Sequence, residues 1–321
     1  MRRLFFTLVT GLGSVAALTL GPAAATAATG LPNAPAAGKP DLEITKLAYF
    51  GLPEPPYLLI GHSGEAPRFG ISVTTANGGH GAAGPSTTMI LIDDGSDVPV
   101  HVPVKVGRLA AGKSETKSVT VSGLKPKLGF TEVSAHANWR KKIKESDSNN
   151  NSKDAPKIAV EAREWDVSTF EVIATAQGGD HRTEAQDGFL FRFDHYKNGF
   201  VYKTIGPIED MPKELNTCTS TATKTVTHDP WAHSTLQIDP DLAHYSASVV
   251  TLGNTYQVPM NCDGVTIQAQ VAFQDLVSFV GLKKRPKMEP GDSRLHGSGV
   301  TSQVNGWTST YIWAFNANVP K

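Results

Sequence analysis

Several groups of residues in this chain have the types and spacing to do chemistry. The first is His228-Asp229-Pro230-Trp231-Ala232-His233, with Asp239, Asp241 and His244 downstream. Imidazole and carboxylate side chains together suit zinc or another divalent ion. Four residues separate His228 from His233, which matches no helix face, and Pro230 breaks any helix there. The preferred reading is a polar loop with hydrogen-bonded histidines and no bound metal. A metal site built from His228, His233 and His244 across strands is the alternative. The second group is Gly291-Asp292-Ser293-Arg294-Leu295-His296-Gly297. A serine nucleophile needs a general base, an orienting acid and oxyanion donors in one geometry. No strand-turn-helix elbow surrounds Ser293, and His296 three residues on points poorly back at it, so no catalytic residue is assigned.

Two basic runs, Trp139-Arg140-Lys141-Lys142-Ile143-Lys144 and Leu282-Lys283-Lys284-Arg285-Pro286-Lys287, could grip an acidic polymer or lipid. Such runs read first as solvated ends and connections of strands. The last group is aromatic: Trp231, Trp307, Tyr311 and Trp313. An exposed indole offers a flat apolar face to a sugar ring while its polar tip stays wet. Trp313 and Phe315 fall on one face of a strand and read as core, whereas Trp231 follows Pro230 and Trp307 follows Gly306. Trp231 and Trp307 are therefore the candidate ligand-binding residues, in loop contexts.

The elements that must position these residues are strands. Gly and Pro are plentiful, apolar residues come in short alternating runs, and no segment holds a long helical apolar period, which is the texture of an all-β chain. In the first half, Phe130 to Trp139 alternates, with Val133, Ala135 and Ala137 on one side, and Lys157-Ile158-Ala159-Val160 follows as a further strand. Between them lies Ile143-Lys144-Glu145-Ser146-Asp147-Ser148-Asn149-Asn150-Asn151, whose short polar residues read as a solvated reversal of the chain. Leu52-Pro53-Glu54-Pro55-Pro56-Tyr57 carries too many prolines for a central strand and reads as an edge or connection. From Trp165 onward the aromatics are larger and the runs longer. There, Phe189 to Phe193 and Phe200 to Thr204 flank Tyr196-Lys197-Asn198-Gly199, and Asn-Gly is the pair a tight hairpin wants.

Read in order, the first half resembles a known bacterial module. Pro40-Asp41-Leu42-Glu43-Ile44 is similar to its opening strand and Phe69 to Thr74 to its second. Asn77-Gly78-Gly79-His80-Gly81-Ala82-Ala83-Gly84 resembles its Gly-rich turn, and Met89 to Gly95 its next strand and acidic turn. Gly107-Arg108-Leu109-Ala110-Ala111-Gly112-Lys113-Ser114 is similar to the piece that precedes its fifth strand, and the acidic residue and Ser, short polar spacer and paired Asn within residues 143–151 to its closing motif. The module is CARDB, the cell-adhesion-related domain found in bacteria, and the resemblance runs over about residues 40–162. It implies an immunoglobulin-like sandwich with a spacer or adhesion role and no active site. Asp93-Asp94-Gly95-Ser96-Asp97-Val98-Pro99 departs from the pattern as a longer, more acidic turn.

The chain of 321 residues carries 30 basic and 30 acidic side chains, and this neutral balance argues against a nucleic-acid partner. Residues 1–27 read as a secretory signal: Arg2 and Arg3, an apolar region to Leu20, and small residues at Ala25-Thr26-Ala27. A linker over 28–40, a sandwich over 41–164 and a second β-rich domain over 165–321 follow, the last a sandwich or a partly closed barrel. Cys218 and Cys262 are the only thiols, and in an exported chain an even pair predicts a disulfide. The expectation is a secreted, non-enzymatic binding or adhesion protein without cofactor or membrane anchor, touching an extracellular glycan or cell-wall polymer through its second domain. A secreted hydrolase with its site in that domain is the alternative.

Overall fold

In the first half the apolar alternation is realised as two facing sheets. The computed structural model describes residues 38–61, 67–176, 179, 181–187, 190–205, 208–221, 226–228, 234–250, 255–272, 276–278, 286–304 and 307–319, so the segment read as a signal and most of the linker lie outside the described residues. One sheet orders β1 (Leu42–Phe50), β3 (Phe69–Asn77) and β6 (Ser114–Val121) as β1-β3-β6. The other orders β2 (Tyr57–Ile60), β9 (Ile158–Ala162), β7 (Gly129–His136), β4 (Ser86–Asp93) and β5 (Val100–Val106) as β2-β9-β7-β4-β5, with β8 (Ser152–Asp154) on β7. Ile71 and Val73 from the first sheet meet Ile90, Ile92, Val133 and Ala135 from the second in one buried cluster. This is the sandwich that the resemblance to CARDB implies, and the alternation serves it because successive side chains of a strand point to opposite faces. The proline-rich stretch before Tyr57 is a connection, as its missing backbone donors require.

The second half is a single antiparallel sheet of 14 strands among the described residues. Its centre is the long β10 (Glu164–Ala176), which pairs β23 (Trp307–Ala317) along its length. Its other edge is shared by β12 (Leu190–Tyr196) at one end and β11 (His181–Asp187) at the other. From β12 the sheet continues through β13 (Phe200–Ile205), β17 (Thr235–Ile238) and β18 (Tyr245–Val250) to β21 (Leu276–Ser278). From β11 it continues through β14 (Ile208–Leu215), which also pairs β16 (Val226–His228), to β15 (Cys218–Ser220), β19 (Thr255–Cys262) and β20 (Val265–Ala272). β23 also pairs β22 (Arg294–Val304).

The sheet folds over on itself. The Tyr245 hydroxyl on β18 donates to the His296 carbonyl on β22 at 3.1 Å and accepts the Trp313 indole N–H from β23 at 2.9 Å. Trp165, Phe170, Phe191, Phe200, Tyr202 and Phe315 fill the enclosed core. Trp313 is therefore core, as its strand face predicts. A Cβ at Gly297 would lie 2.5 Å from the Trp313 ring, so only glycine fits opposite that indole.

Cys218 and Cys262 face each other across β15 and β19 and are joined by a disulfide, as the pairing of two thiols predicts. Closing that loop removes unfolded-state entropy of about 4 kcal/mol in the chain-entropy model. The Asn198-Gly199 hairpin forms with both residues at positive φ, 53° and 132°. Its loop spans Lys197, Asn198 and Gly199, because Tyr196 pairs with Phe200.

The two halves share a wall. All five residues of β9 are buried. Ile158 and Val160 belong to the sandwich core, while Ala159 belongs to the second core with Tyr57 and Leu59 of β2 packed against it. Tyr57 stacks on Tyr196 with ring centroids 5.3 Å apart and meets the edge of Phe200 at 5.4 Å. Glu161 lies in this wall with 2 % of its surface exposed.

Candidate functional site: a basic cleft beside an exposed tryptophan

The run that follows β7 leaves its strand at Ala137 and turns back over the sheet. Asn138 and Lys141 take the left-handed conformation, with φ 46° and 51°, which reverses the chain within a few residues. The Trp139 N–H donates to the Thr87 carbonyl at 3.0 Å and docks this turn on β4. The indole is thereby held over the outer face of the sheet, with His136 of β7 at 5.5 Å and His101 of β5 at 6.2 Å between ring centroids. Trp139 remains 40 % exposed. Its support by two imidazoles fixes the ring while leaving apolar surface open to a ligand.

Beside it lies a shallow cleft of about 240 Å³ lined by Pro85, Ser86, Lys105, Asn138, Arg140 and Lys142, among others. Three cations and no carboxylate line this cleft. The Ser86 hydroxyl is buried at its wall without a hydrogen-bond partner. Fixed positive charge with an unused hydroxyl and a neighbouring indole suits an anionic sugar: the ring stacks, and carboxylate or phosphate oxygens take the cations.

The loop behind the cleft differs from the plain solvated reversal that its composition predicts. Glu145 Oε1 accepts the amide of Asn151 at 2.9 Å and that of Asn138 at 2.5 Å, and Oε2 accepts the Leu42 N–H at 2.6 Å. The Asn150 amide donates to both Asp41 carboxylate oxygens, at 3.1 and 3.2 Å, and the Ser146 N–H donates to the Pro40 carbonyl at 2.9 Å. The motif is a clasp that ties the start of β1 to the turn carrying Trp139 and Arg140. Local sequence chemistry cannot reveal its tie to β1, because Asp41 and Leu42 lie more than 100 residues from their partners in the loop.

The residues singled out in the sequence fare differently. Trp231 and His233 lie outside the described residues. Trp307 is the first residue of β23, opposite Ala176 and Val304, and not part of a loop as its Gly306 neighbour suggests. His228 ends β16, opposite Ile208. His244 is drawn into a different group, with Asp239 and Asp241 in the β17–β18 turn, where the donor atoms lie within 4.8 Å of one another. Asp241 there accepts the Ala243 N–H at 3.0 Å, and Leu242 takes φ 55°. These are the habits of an aspartate shaping its own turn. Ser293 accepts the Ala317 N–H through its carbonyl, and His296 is a ladder residue of β22. The run 282–285 lies outside the described residues.

Comparison with protein families matches residues 63–155 to CARDB. The match is narrower than the stretch from 40 to 162 whose motifs resemble that module, because it omits β1, β2 and β9, all of which pair within the two sheets. It covers the cleft and Trp139 in full. Neither the curated proteins nor the solved structures yield a match. Among the described residues no helix is long and apolar enough to cross a membrane.

Proposed function

We propose that this is a secreted, non-enzymatic binding protein that holds an anionic extracellular glycan or cell-wall polymer. The observation that carries the reading is the exposed, imidazole-braced Trp139 beside a cleft lined by Lys105, Arg140 and Lys142. The adhesion-related family matched over 63–155 supports a contact role for this domain, and the disulfide Cys218–Cys262 is compatible with export. Trp231 and Trp307 of the C-terminal domain are proposed as a second contact.

Binding of the full chain to an acidic polysaccharide and to its neutral counterpart tests the proposal. Trp139→Ala is expected to weaken binding by about 1–2 kcal/mol, roughly 5- to 30-fold. Arg140→Ala with Lys142→Ala should remove the preference for the acidic polymer and flatten the salt dependence. Equal affinity of wild type and both variants would sink the cleft. Loss only in Trp231→Ala or Trp307→Ala would move the contact to the C-terminal domain. Turnover of a polysaccharide, peptide or ester substrate would replace binding with hydrolysis.

A further inference from the structure

Sheet edges invite another strand, and proteins guard them with charge, proline, bulges or brevity. In this molecule β1 carries Lys46 and a bulge between Ile44 and Lys46. β5 carries Pro103 and Lys105, and β22 carries Arg294 and a bulge between Thr301 and Val304. β20 has none of these. It runs Val265-Thr266-Ile267-Gln268-Ala269-Gln270-Val271-Ala272, without charge or proline, in unbroken register with β19 from Cys262↔Val265 to Thr255↔Ala272. Among the described residues it pairs with β19 alone. Val265 is 62 % exposed and Ile267 44 % exposed.

The hairpin settles which backbone groups face outward. Asp263 and Gly264 form its turn with φ 52° and 86°, both positive, as a two-residue loop with the strand-matching twist requires. In such a hairpin the closing pair, Cys262 and Val265, exchanges both of its hydrogen bonds. The pair Cys218↔Cys262 on the other side of β19 must then be the non-hydrogen-bonded kind. Its Cα–Cα distance of 4.2 Å fits that kind. Counting along β20, Ile267 and Ala269 turn their N–H and C=O groups to β19, while Thr266, Gln268 and Gln270 turn theirs outward.

We propose that β20 pairs antiparallel with β20 of a second copy of this chain, about a two-fold axis through Gln268. The strand's apolar–polar pattern reads the same in both directions about that residue. Val265 falls opposite Val271, Ile267 opposite Ala269, Thr266 opposite Gln270, and Gln268 opposite itself. Apolar residues meet apolar ones, and no charge is placed against a like charge. The outward-facing groups of residues 266, 268 and 270 are the ones this register uses, so the pairing is self-complementary, as a two-fold interface must be. The disulfide to β15 holds the presenting hairpin in place beforehand.

Sedimentation velocity of the full chain across a dilution series tests this. Wild type is expected to double its mass as concentration rises. Gln268→Pro removes an outward N–H that β19 does not use, so the monomer keeps its circular-dichroism spectrum and melting point while the dimer is lost. Gln268→Lys and Gln268→Glu, each alone, place like charges opposite one another and should be monomeric, whereas their mixture should recover the dimer. A wild type that stays monomeric throughout, or a dimer that survives Gln268→Pro, overturns the proposal. So does a Lys/Glu mixture that fails to associate.

Discussion

Glu161 is a carboxyl group enclosed by two apolar cores, with the Ala162 N–H at 2.8 Å as its hydrogen-bond donor. The Tyr202 hydroxyl, also fully buried, donates to the Ala162 carbonyl at 2.9 Å and is the ionisable neighbour that faces it. Burial pushes the carboxyl up from 4.5 to about 8, with the single N–H pulling weakly the other way. In the unfolded chain the same group ionises near its ordinary value, so the folded state binds the extra proton between the two. Stability is therefore fully present below about pH 4.5 and is lost as pH rises through about 8. The expected loss is on the order of a few kcal/mol. Glu161→Gln, which cannot ionise, should flatten this profile. Urea midpoints of both proteins from about pH 5 to pH 9 decide it, and a wild-type profile as flat as the variant's would refute the assignment.

At the scale of elements, the loop 143–151 shows how a polar stretch becomes structural. A single carboxylate, Glu145, satisfies the amides of Asn138 and Asn151 and the first N–H of β1. Removing an acceptor leaves buried donors without partners, which costs more than the bond itself was worth. Glu145→Ala is expected to destabilise the fold by about 1–3 kcal/mol and to loosen the turn that carries Trp139. The exposed Ser148→Ala in the same loop should stay within about 0.5 kcal/mol. Equilibrium unfolding of the two variants, with Trp139 emission as a local reporter, makes the comparison. Equal stability would reduce the clasp to ordinary surface contact.

For the whole molecule, the shared wall couples the halves. The sandwich has its own core, so residues 41–162 expressed alone are expected to fold and give a dispersed amide spectrum. That fragment uncovers Tyr57, Leu59 and Phe130, which pack against the second core in the intact chain, and Glu161, whose neighbour Tyr202 belongs to that core. Once solvated, Glu161 should return to the ordinary carboxylate range, and the fragment's stability should no longer respond to Glu161→Gln between about pH 5 and pH 9. An undispersed spectrum would show that the second half is required to complete the sandwich. A pH profile like that of the full chain would place the cause of the shift within the sandwich itself.

The all-β class, the CARDB resemblance with the sandwich it implies, the disulfide and the Asn-Gly hairpin are legible in the sequence because each rests on local signals: period-two alternation, turn residues and short motifs in order, and a pair of thiols. The Asp263-Gly264 turn carried the same kind of signal between two apolar runs and was there to be read. Strands β11 and β14 were not, since His181-Arg182-Thr183-Glu184-Ala185-Gln186-Asp187 and Ile208 to Leu215 hold no apolar alternation and are strands through their pairing with β10 and with each other. The basic run after Trp139 looked like a solvated strand end. Folding made it a cleft by bringing Ser86 from β4 and Lys105 from β5 beside Arg140 and Lys142. Glu145 looked like loop surface until Leu42, 103 residues away, brought its N–H to it. Local periodicity and turn chemistry act between residues close in the chain, so sequence alone determined the elements that carry an apolar alternation or a turn signal. Which carboxyl is buried, which tryptophan is open and which edge is bare depend on contacts between distant residues, and only the tertiary structure decided them.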